Sequence, residues 1–183
     1  TAPTNLKAVN ATANVTLTWT ASTDNVGVAA YVVTVGSKRV RVTSPKAVVA
    51  GLSPLTTYAV SVKAVDKAGN YSIAAKLSVT TKADTAAPTA PASPVAAPTS
   101  SGANITWKAS TDNVGVRHYR VTVDGTAQDV TTTSATVTSL APSTAYTGSV
   151  VAVDAAGNIS AATNFSFTTT KPSDTTAPTV PTG

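Results

Sequence analysis

Apolar residues along the chain alternate with small polar residues at a period of two. Val15, Leu17 and Trp19 alternate with threonines, and the run at 58–64 repeats the pattern with its apolar residues at even positions. This period is typical of half-buried strands. Gly-, Pro- and Asn-containing stretches such as 68–70 interrupt the runs and indicate turns. The pattern predicts many short strands, and strands with one apolar face bury those faces as two stacked sheets.

The whole pattern occurs twice along the chain. Trp19 recurs as Trp107 and Tyr58 recurs as Tyr146, in both cases 88 positions further on. A period as long as a small domain indicates tandem domains rather than a solenoid. We therefore predict about seven strands in each of two domains. The predicted division is domain 1 at 1–84, domain 2 at 85–172, and a joint at 173–183 that leads to a further domain.

Composition excludes several classes of function. Cysteine is absent, which excludes disulfides, thiol catalysis and cysteine metal sites. No apolar run is long enough to span a membrane. The net charge of +5 is uneven, because residues 1–85 carry nine Lys or Arg against three Asp and residues 86–183 carry four against five. The basic excess is thus not a shared property of the repeat.

Certain aromatic positions identify a family resemblance. Trp19 lies on the second predicted strand and Tyr31 on the third, and the run Leu-Ser-Pro-Leu-Thr-Thr-Tyr at 52–58 has a counterpart at 140–146. Both copies resemble fibronectin type III domains over essentially their full length. The resemblance implies an all-β fold of two tandem seven-stranded immunoglobulin-like β-sandwiches, with a corner tyrosine bonded to the backbone. The expected structural core residues are Trp19, Tyr31, Tyr58, Trp107, Tyr119 and Tyr146.

The loop motifs narrow the resemblance. The motif Asp-Asn-Val-Gly-Val at 24–28, the motif Asp-x-Ala-Gly-Asn at 66–70 and the proline-containing joint at 84–91 look like those of tandem modules in bacterial secreted chitinases and cellulases. The resemblance implies a secreted, extracellular, non-catalytic spacer that sets the distance between catalytic and carbohydrate-binding modules of a glycoside hydrolase. Alternatives are the stalk of a cell-surface adhesin and a weak polysaccharide- or protein-binding module.

The chain offers few groups for catalysis, and we expect no catalytic residue, metal site or cofactor. His118 is the single histidine, and alternation places it on the face opposite to Tyr119. Asp24 and Asp66 fall in loops that this fold brings to one pole, as do their counterparts in the second copy. Such a pair could act in glycoside hydrolysis or bind calcium. The favoured interpretation is that these carboxylates cap backbone amides in tight turns.

Binding surfaces are also sparse in the sequence. Of nine aromatic residues, the pattern places eight inward and leaves Tyr71 exposed, which is too little for a polysaccharide platform. A basic cluster at 38–46 is interpreted as protection of an exposed strand edge, with contact to an anionic polymer as the alternative. Nucleic acid is not expected, because interleaved aromatic residues are missing.

The joint between the domains is the last candidate site. Four prolines between residues 82 and 98 predict an extended, semi-rigid segment. We hypothesise that the repeated loops pack against this segment and the neighbouring domain. Partners are then the neighbouring domains of the same chain, with at most weak polysaccharide contact, no membrane and a monomeric state. The hypothesis involves Asp84, Pro88, Pro91, Asp112, Asn113, Asp154 and Asn158.

Overall fold

A computed structural model describes residues 1–175 and divides the chain into two compact units, Thr1–Thr85 and Ala86–Gly183. The described residues form strands and contain no helix. They therefore include no helical span that could cross a membrane. The division falls one residue after the predicted end of domain 1. Most of the predicted joint at 173–183 lies outside the described residues. Its described part, residues 173–175, contains no strand.

Unit 1 contains seven antiparallel strands in two sheets, as the alternation predicts. A three-stranded sheet has the order β1-β2-β5 and a four-stranded sheet has the order β4-β3-β6-β7. The strands are β1 (Thr4–Asn10), β2 (Asn14–Thr20), β3 (Val28–Val35), β4 (Lys38–Val42), β5 (Lys46–Ala50), β6 (Thr57–Asp66) and β7 (Ala75–Thr80).

The core of unit 1 lies between these sheets. Leu17 of β2 and Val33 of β3 are fully buried within one apolar cluster, and Leu6 and Leu77 pack against that cluster from the outer strands. The predicted period of two is visible in β2, whose alternate residues are buried. Burial of these aliphatic side chains, at about 1.5–3 kcal/mol each, is the main force that holds the two sheets together.

Unit 2 repeats this architecture. Its sheets have the orders β8-β9-β12 and β11-β10-β13-β14, again antiparallel. The strands are β8 (Ala92–Pro98), β9 (Ala103–Lys108), β10 (Val116–Val123), β11 (Thr126–Val130), β12 (Ser134–Val137), β13 (Ala145–Asp154) and β14 (Thr163–Thr168). The predicted all-β fold of two seven-stranded sandwiches is confirmed.

The units differ at several core positions, among them one pair of residues on adjacent strands. The register pairs Val60 with Leu77 in unit 1 and Gly148 with Phe165 in unit 2. A Cβ placed on Gly148 would lie 2.5 Å from Phe165 Cζ, so the ring occupies the space that a valine side chain would need. The loss of bulk on β13 is therefore compensated by the larger side chain on β14.

Candidate functional site

The aromatic residues predicted for the core form the same pair in each unit. The rings of Trp19 and Tyr31 meet edge to face with centroids 5.2 Å apart, and those of Trp107 and Tyr119 meet at 5.4 Å. All four side chains are buried. Edge-to-face contact places the positive ring edge against the negative face of its neighbour. The indoles are therefore enclosed in the sandwiches, where they offer no platform for a sugar.

Each of these third-strand tyrosines also fixes a loop. The hydroxyl of Tyr31 accepts a hydrogen bond from the backbone N–H of Ser22 at 2.9 Å, and the Tyr119 hydroxyl accepts one from Ser110 N–H at 2.9 Å. Both acceptors satisfy an amide at the start of the loop that carries the Asp-Asn-Val-Gly-Val motif. In each unit a tyrosine of the core thus holds this aspartate-containing loop in place.

The corner tyrosines lie partly buried at the opposite end of each unit. Tyr58 Oη accepts the N–H of Ser53 at 2.8 Å, and Tyr146 Oη accepts the N–H of Ala141 at 2.9 Å. The hydrogen bond from Ser53 is the main cause that lowers the pKa of Tyr58, because it stabilises the phenolate. These contacts have the geometry that the resemblance implies for a chain crossing between sheets.

The first aspartate of each loop motif caps its own turn. Asp24 Oδ2 accepts the N–H groups of Val26 and Gly27 at 3.0 and 3.1 Å. Gly27 has φ of 113°, a conformation that other residues adopt only under strain. Asp112 Oδ2 accepts from Val114 and Gly115 at 2.8 Å each. The repeated motif therefore encodes a turn in both units.

The second aspartate of each unit caps the next loop. Asp66 accepts the backbone N–H of Asn70 at 2.9 Å and its side-chain amide at 2.7 Å. Asp154 accepts the same two groups of Asn158 at 2.8 and 2.7 Å. The side-chain bond from Asn70 is the main cause that lowers the pKa of Asp66. Each carboxylate is thus held by amides of its own turn.

Asp154 differs from Asp66 in its burial, since only 1% of it is exposed. Burial alone would raise the pKa of Asp154, because a charged form is costly away from water. The hydrogen bonds from Asn158, Gly157 and Ala156 together outweigh this effect and lower the pKa below its ordinary value. The carboxylate is therefore an ionised structural acceptor, unlike a general acid, which needs a raised pKa.

The structure brings part of the predicted joint against the unit 2 loops. Thr89 N–H donates to the carbonyl of Thr111 at 2.9 Å, and Thr111 N–H donates to Thr89 Oγ1 at 2.8 Å. The side-chain amide of Asn158 donates to the carbonyl of Ala86 at 3.3 Å. Residues 86–89 thus form an integral part of unit 2.

The remaining residues of the joint hypothesis lie as follows. Pro88 and Pro91 are buried, and Thr163 Oγ1 donates to the Pro91 carbonyl. Asn113 is exposed in the loop between β9 and β10, and Asp84 is a buried residue of unit 1. Packing of these loops against a neighbouring domain stays a prediction.

His118 lies on the outer face of β10, as alternation predicts, but it is less exposed than a free surface residue. Its side chain is 19% exposed and its Nε2 lies 3.4 Å from Asp129 Oδ2. Arg120 binds the same carboxylate through Nε and Nη2 at 2.8 and 3.0 Å, which lowers the pKa of Asp129. These contacts join a histidine, an arginine and an aspartate without a serine nucleophile, so they lack the arrangement of a catalytic triad.

A depression of about 730 Å³ on unit 2 also lacks convergent chemistry. It is lined by Thr122, Asp124, Gly148, Phe165 and neighbouring small polar residues. A glycosidase needs two carboxyl groups across a sugar-binding cleft, and Asp124 is the single carboxylate in this lining.

Comparison with known proteins agrees with this architecture. The profile of the fibronectin type III domain matches residues 1–80 and again 87–169. Chitinase A1 of Niallia circulans is 48% identical over 168 residues, covering 86% of this chain and 24% of that protein. Exoglucanase B of Cellulomonas fimi is 43% identical over 196 residues, covering 100% of this chain and 18% of that protein.

A third relative, Endoglucanase B of Cellulomonas fimi, is 42% identical over 162 residues, covering 79% of this chain and 16% of that protein. The chain spans a quarter or less of each of these three relatives. The similarity thus concerns a small part of these chitinases and glucanases.

Proposed function

Because the chain belongs to the fibronectin type III family, we propose that it is a non-catalytic tandem spacer of a secreted bacterial polysaccharide-degrading enzyme. Its role is geometric, since it sets distance and orientation between a catalytic module and a carbohydrate-binding module. On an insoluble substrate such a linkage determines the effective concentration of the catalytic module at the surface.

One observation carries this proposal: eight of the nine aromatic rings belong to the two hydrophobic cores or pack against them. Tyr71, with 52% of its surface exposed, is the remaining ring. A neutral polysaccharide presents few charges, so its binding relies on exposed flat rings. One ring supplies on the order of a kcal/mol, which is far too little for a module that binds chitin or cellulose by itself.

Two further features support the spacer role. The relatives are named chitinases and glucanases, and the matched region is a small share of each. Each of these loop carboxylates, in both units, accepts hydrogen bonds from its own turn. We infer from these features that hydrolysis belongs to another part of the parent chain, which lies outside the cell with its polymer substrate.

Retention on polysaccharide tests the proposal against the rival of a binding module. The chain is incubated with crystalline chitin and with cellulose, and bound and free fractions are compared with those of a chitin-binding module as positive control. The spacer role predicts that the chain stays in the free fraction. Retention through repeated washes would contradict it and would favour a binding module.

A further inference from the structure

Four cations lie on one exposed face of unit 1, the outer face of its four-stranded sheet. The register places Arg39 beside Thr34, Thr34 beside Ser61 and Ser61 beside Lys76. The neighbouring row contains Arg41, Val32 and Lys63. All four basic side chains are exposed. We call this surface, comprising Arg39, Arg41, Lys63 and Lys76, the cationic face.

The cationic face extends across all four strands. Neighbouring strands lie about 4.8 Å apart, and alternate residues of one strand lie roughly 7 Å apart. The four cations therefore border an area of about 7 by 14 Å. Their spread suits an extended chain of anionic groups better than a single small anion, which would need convergent donors.

A valine and an aromatic ring lie next to these charges. Val32 is 7% exposed although it faces away from the core, and it lines a depression of about 390 Å³ with Arg39, Lys63 and Tyr71. Long basic side chains cover apolar surface with their stems and keep their charges in water. The half-exposed ring of Tyr71 forms the edge of the depression.

The charges on this face are not neutralised by neighbouring carboxylates. Among residues 1–175 none of the four cations makes a salt bridge, and the outward-facing residues of β3, β4, β6 and β7 include no acid. Protection of a sheet edge would account for Arg39 and Arg41 on the edge strand β4. It does not account for Lys63, because β6 lies inside the sheet.

Unit 2 shows what the same face looks like without these charges. The positions equivalent to Arg39, Arg41, Lys63 and Lys76 are, in that order, Ala127, Asp129, Val151 and Asn164. On that surface Arg120 is paired with Asp129. Tyr71 is likewise replaced by Ile159. The fold and a spacing role therefore do not require the cationic face.

From this arrangement we infer that unit 1 binds an extended acidic polysaccharide through the cationic face. Carboxylate groups of the polymer pair with the four cations, and Tyr71 contacts the apolar face of a sugar ring. Nucleic acid fits less well, because single strands are held by several stacked aromatic residues along the groove. This inference does not depend on the proposed spacer role, since the cationic face can bind a polymer whether or not the chain holds two modules apart.

Binding of polygalacturonate to the intact chain tests this inference, with neutral hydroxyethylcellulose as the uncharged comparison. A variant with four substitutions removes the positive charges of the cationic face: Arg39→Gln, Arg41→Gln, Lys63→Gln and Lys76→Gln. A matched control with Lys7→Gln, Lys46→Gln, Lys67→Gln and Lys82→Gln also lowers the net charge from +5 to +1. Circular dichroism verifies that both variants, which alter exposed residues, stay folded.

We expect polygalacturonate to bind and hydroxyethylcellulose not to bind. The face variant should bind at least about tenfold more weakly and the control less than about threefold. Raising salt from about 50 to 200 mM should weaken binding roughly tenfold or more, because counterions compete for the same charges. Tyr71→Ile, which copies the residue of unit 2, should weaken it by about threefold.

Three results would overturn the inference. The first is absence of binding at low salt, and the second is an equal loss in the face and control variants, which would indicate net charge alone. The third is tighter binding of single-stranded DNA than of polygalacturonate with the same number of charges, which would assign the face to nucleic acid.

Discussion

The ring of Phe165 occupies the space beside Gly148, so that a Cβ on residue 148 would lie 2.5 Å from Phe165 Cζ and 2.6 Å from the carbonyl oxygen of Thr122. In unit 1 the paired residues at these positions are Val60 and Leu77. The two units thus divide a similar apolar volume differently between adjacent strands. Cores tolerate such exchanges when total volume and pattern are conserved.

Gly148→Val should destabilise unit 2 by about 1–3 kcal/mol, because the added methyl groups meet a ring that cannot retreat without leaving the core. Gly148→Val with Phe165→Leu, which recreates the unit 1 pair, should recover only the part of that loss due to the ring, because the contact with the carbonyl oxygen of Thr122 stays. Urea unfolding of the single and double variants measures both effects. Equal destabilisation in the two variants would show that the two side chains are not coupled.

Trp19→Ala should cost unit 1 about 3–5 kcal/mol, since it removes a buried ring and leaves a cavity beside Tyr31. That is much of the 5–15 kcal/mol expected for a whole domain. Scanning calorimetry of Trp19→Ala should show the unfolding transition of unit 1 at a lower temperature and that of unit 2 unchanged. Trp107→Ala should instead lower the transition temperature of unit 2. A common shift of both transitions would mean that the two units unfold together.

Tyr31→Phe should destabilise unit 1 by about 1–3 kcal/mol with little change in packing. The substitution leaves the N–H of Ser22, a buried residue, without its acceptor. Tyr119→Phe is the matched variant in unit 2, where Ser110 N–H loses the same acceptor. Thermal unfolding of both variants measures the effect, and wild-type stability in both would show that water replaces the hydroxyl without cost.

Acid should weaken unit 2 through Asp154. Its pKa in the folded state is below the ordinary value of 3.8, so the stability that its charge contributes is present above that value. It is lost as pH falls through the folded pKa. The melting temperature of unit 2 should therefore decline below about pH 5.

Asp154→Asn should lower the melting temperature at neutral pH and flatten this acid decline, because the charge that accepts from Asn158 is gone. Asp124→Asn, in an exposed turn, is the control and should leave the decline unchanged. A decline in Asp154→Asn as steep as that of the wild type would assign the acid sensitivity to other carboxylates.

Most of the fold could be predicted from the sequence, because its signals are local. The period of two around Trp19 indicates a strand with one buried face, and the run ending at Tyr58 indicates the corner. The turn-capping role of Asp24 also follows from sequence, since the donors Val26 and Gly27 are two and three residues away. Such contacts need no knowledge of the tertiary structure.

Contacts between strands were harder to predict, because they depend on register. The two-residue turn at Asp124–Gly125 places Arg120 opposite Asp129, so this ion pair could have been found from the hairpin. Lys63 and Lys76 are different, since an irregular segment separates β6 from β7 and leaves the pairing open. The sequence-based cluster at 38–46 therefore contained only half of the cationic face.

The proposed role of this chain is to hold two modules apart. The experiment that tests it joins a chitinase catalytic domain to a chitin-binding module either through this chain or through a flexible Gly/Ser linker of the same number of residues. Rates on insoluble chitin and on a soluble chitin oligosaccharide are then compared. The spacer role predicts a higher ratio of insoluble to soluble rate with this chain and equal rates on the soluble substrate. Identical ratios for both linkers would contradict it.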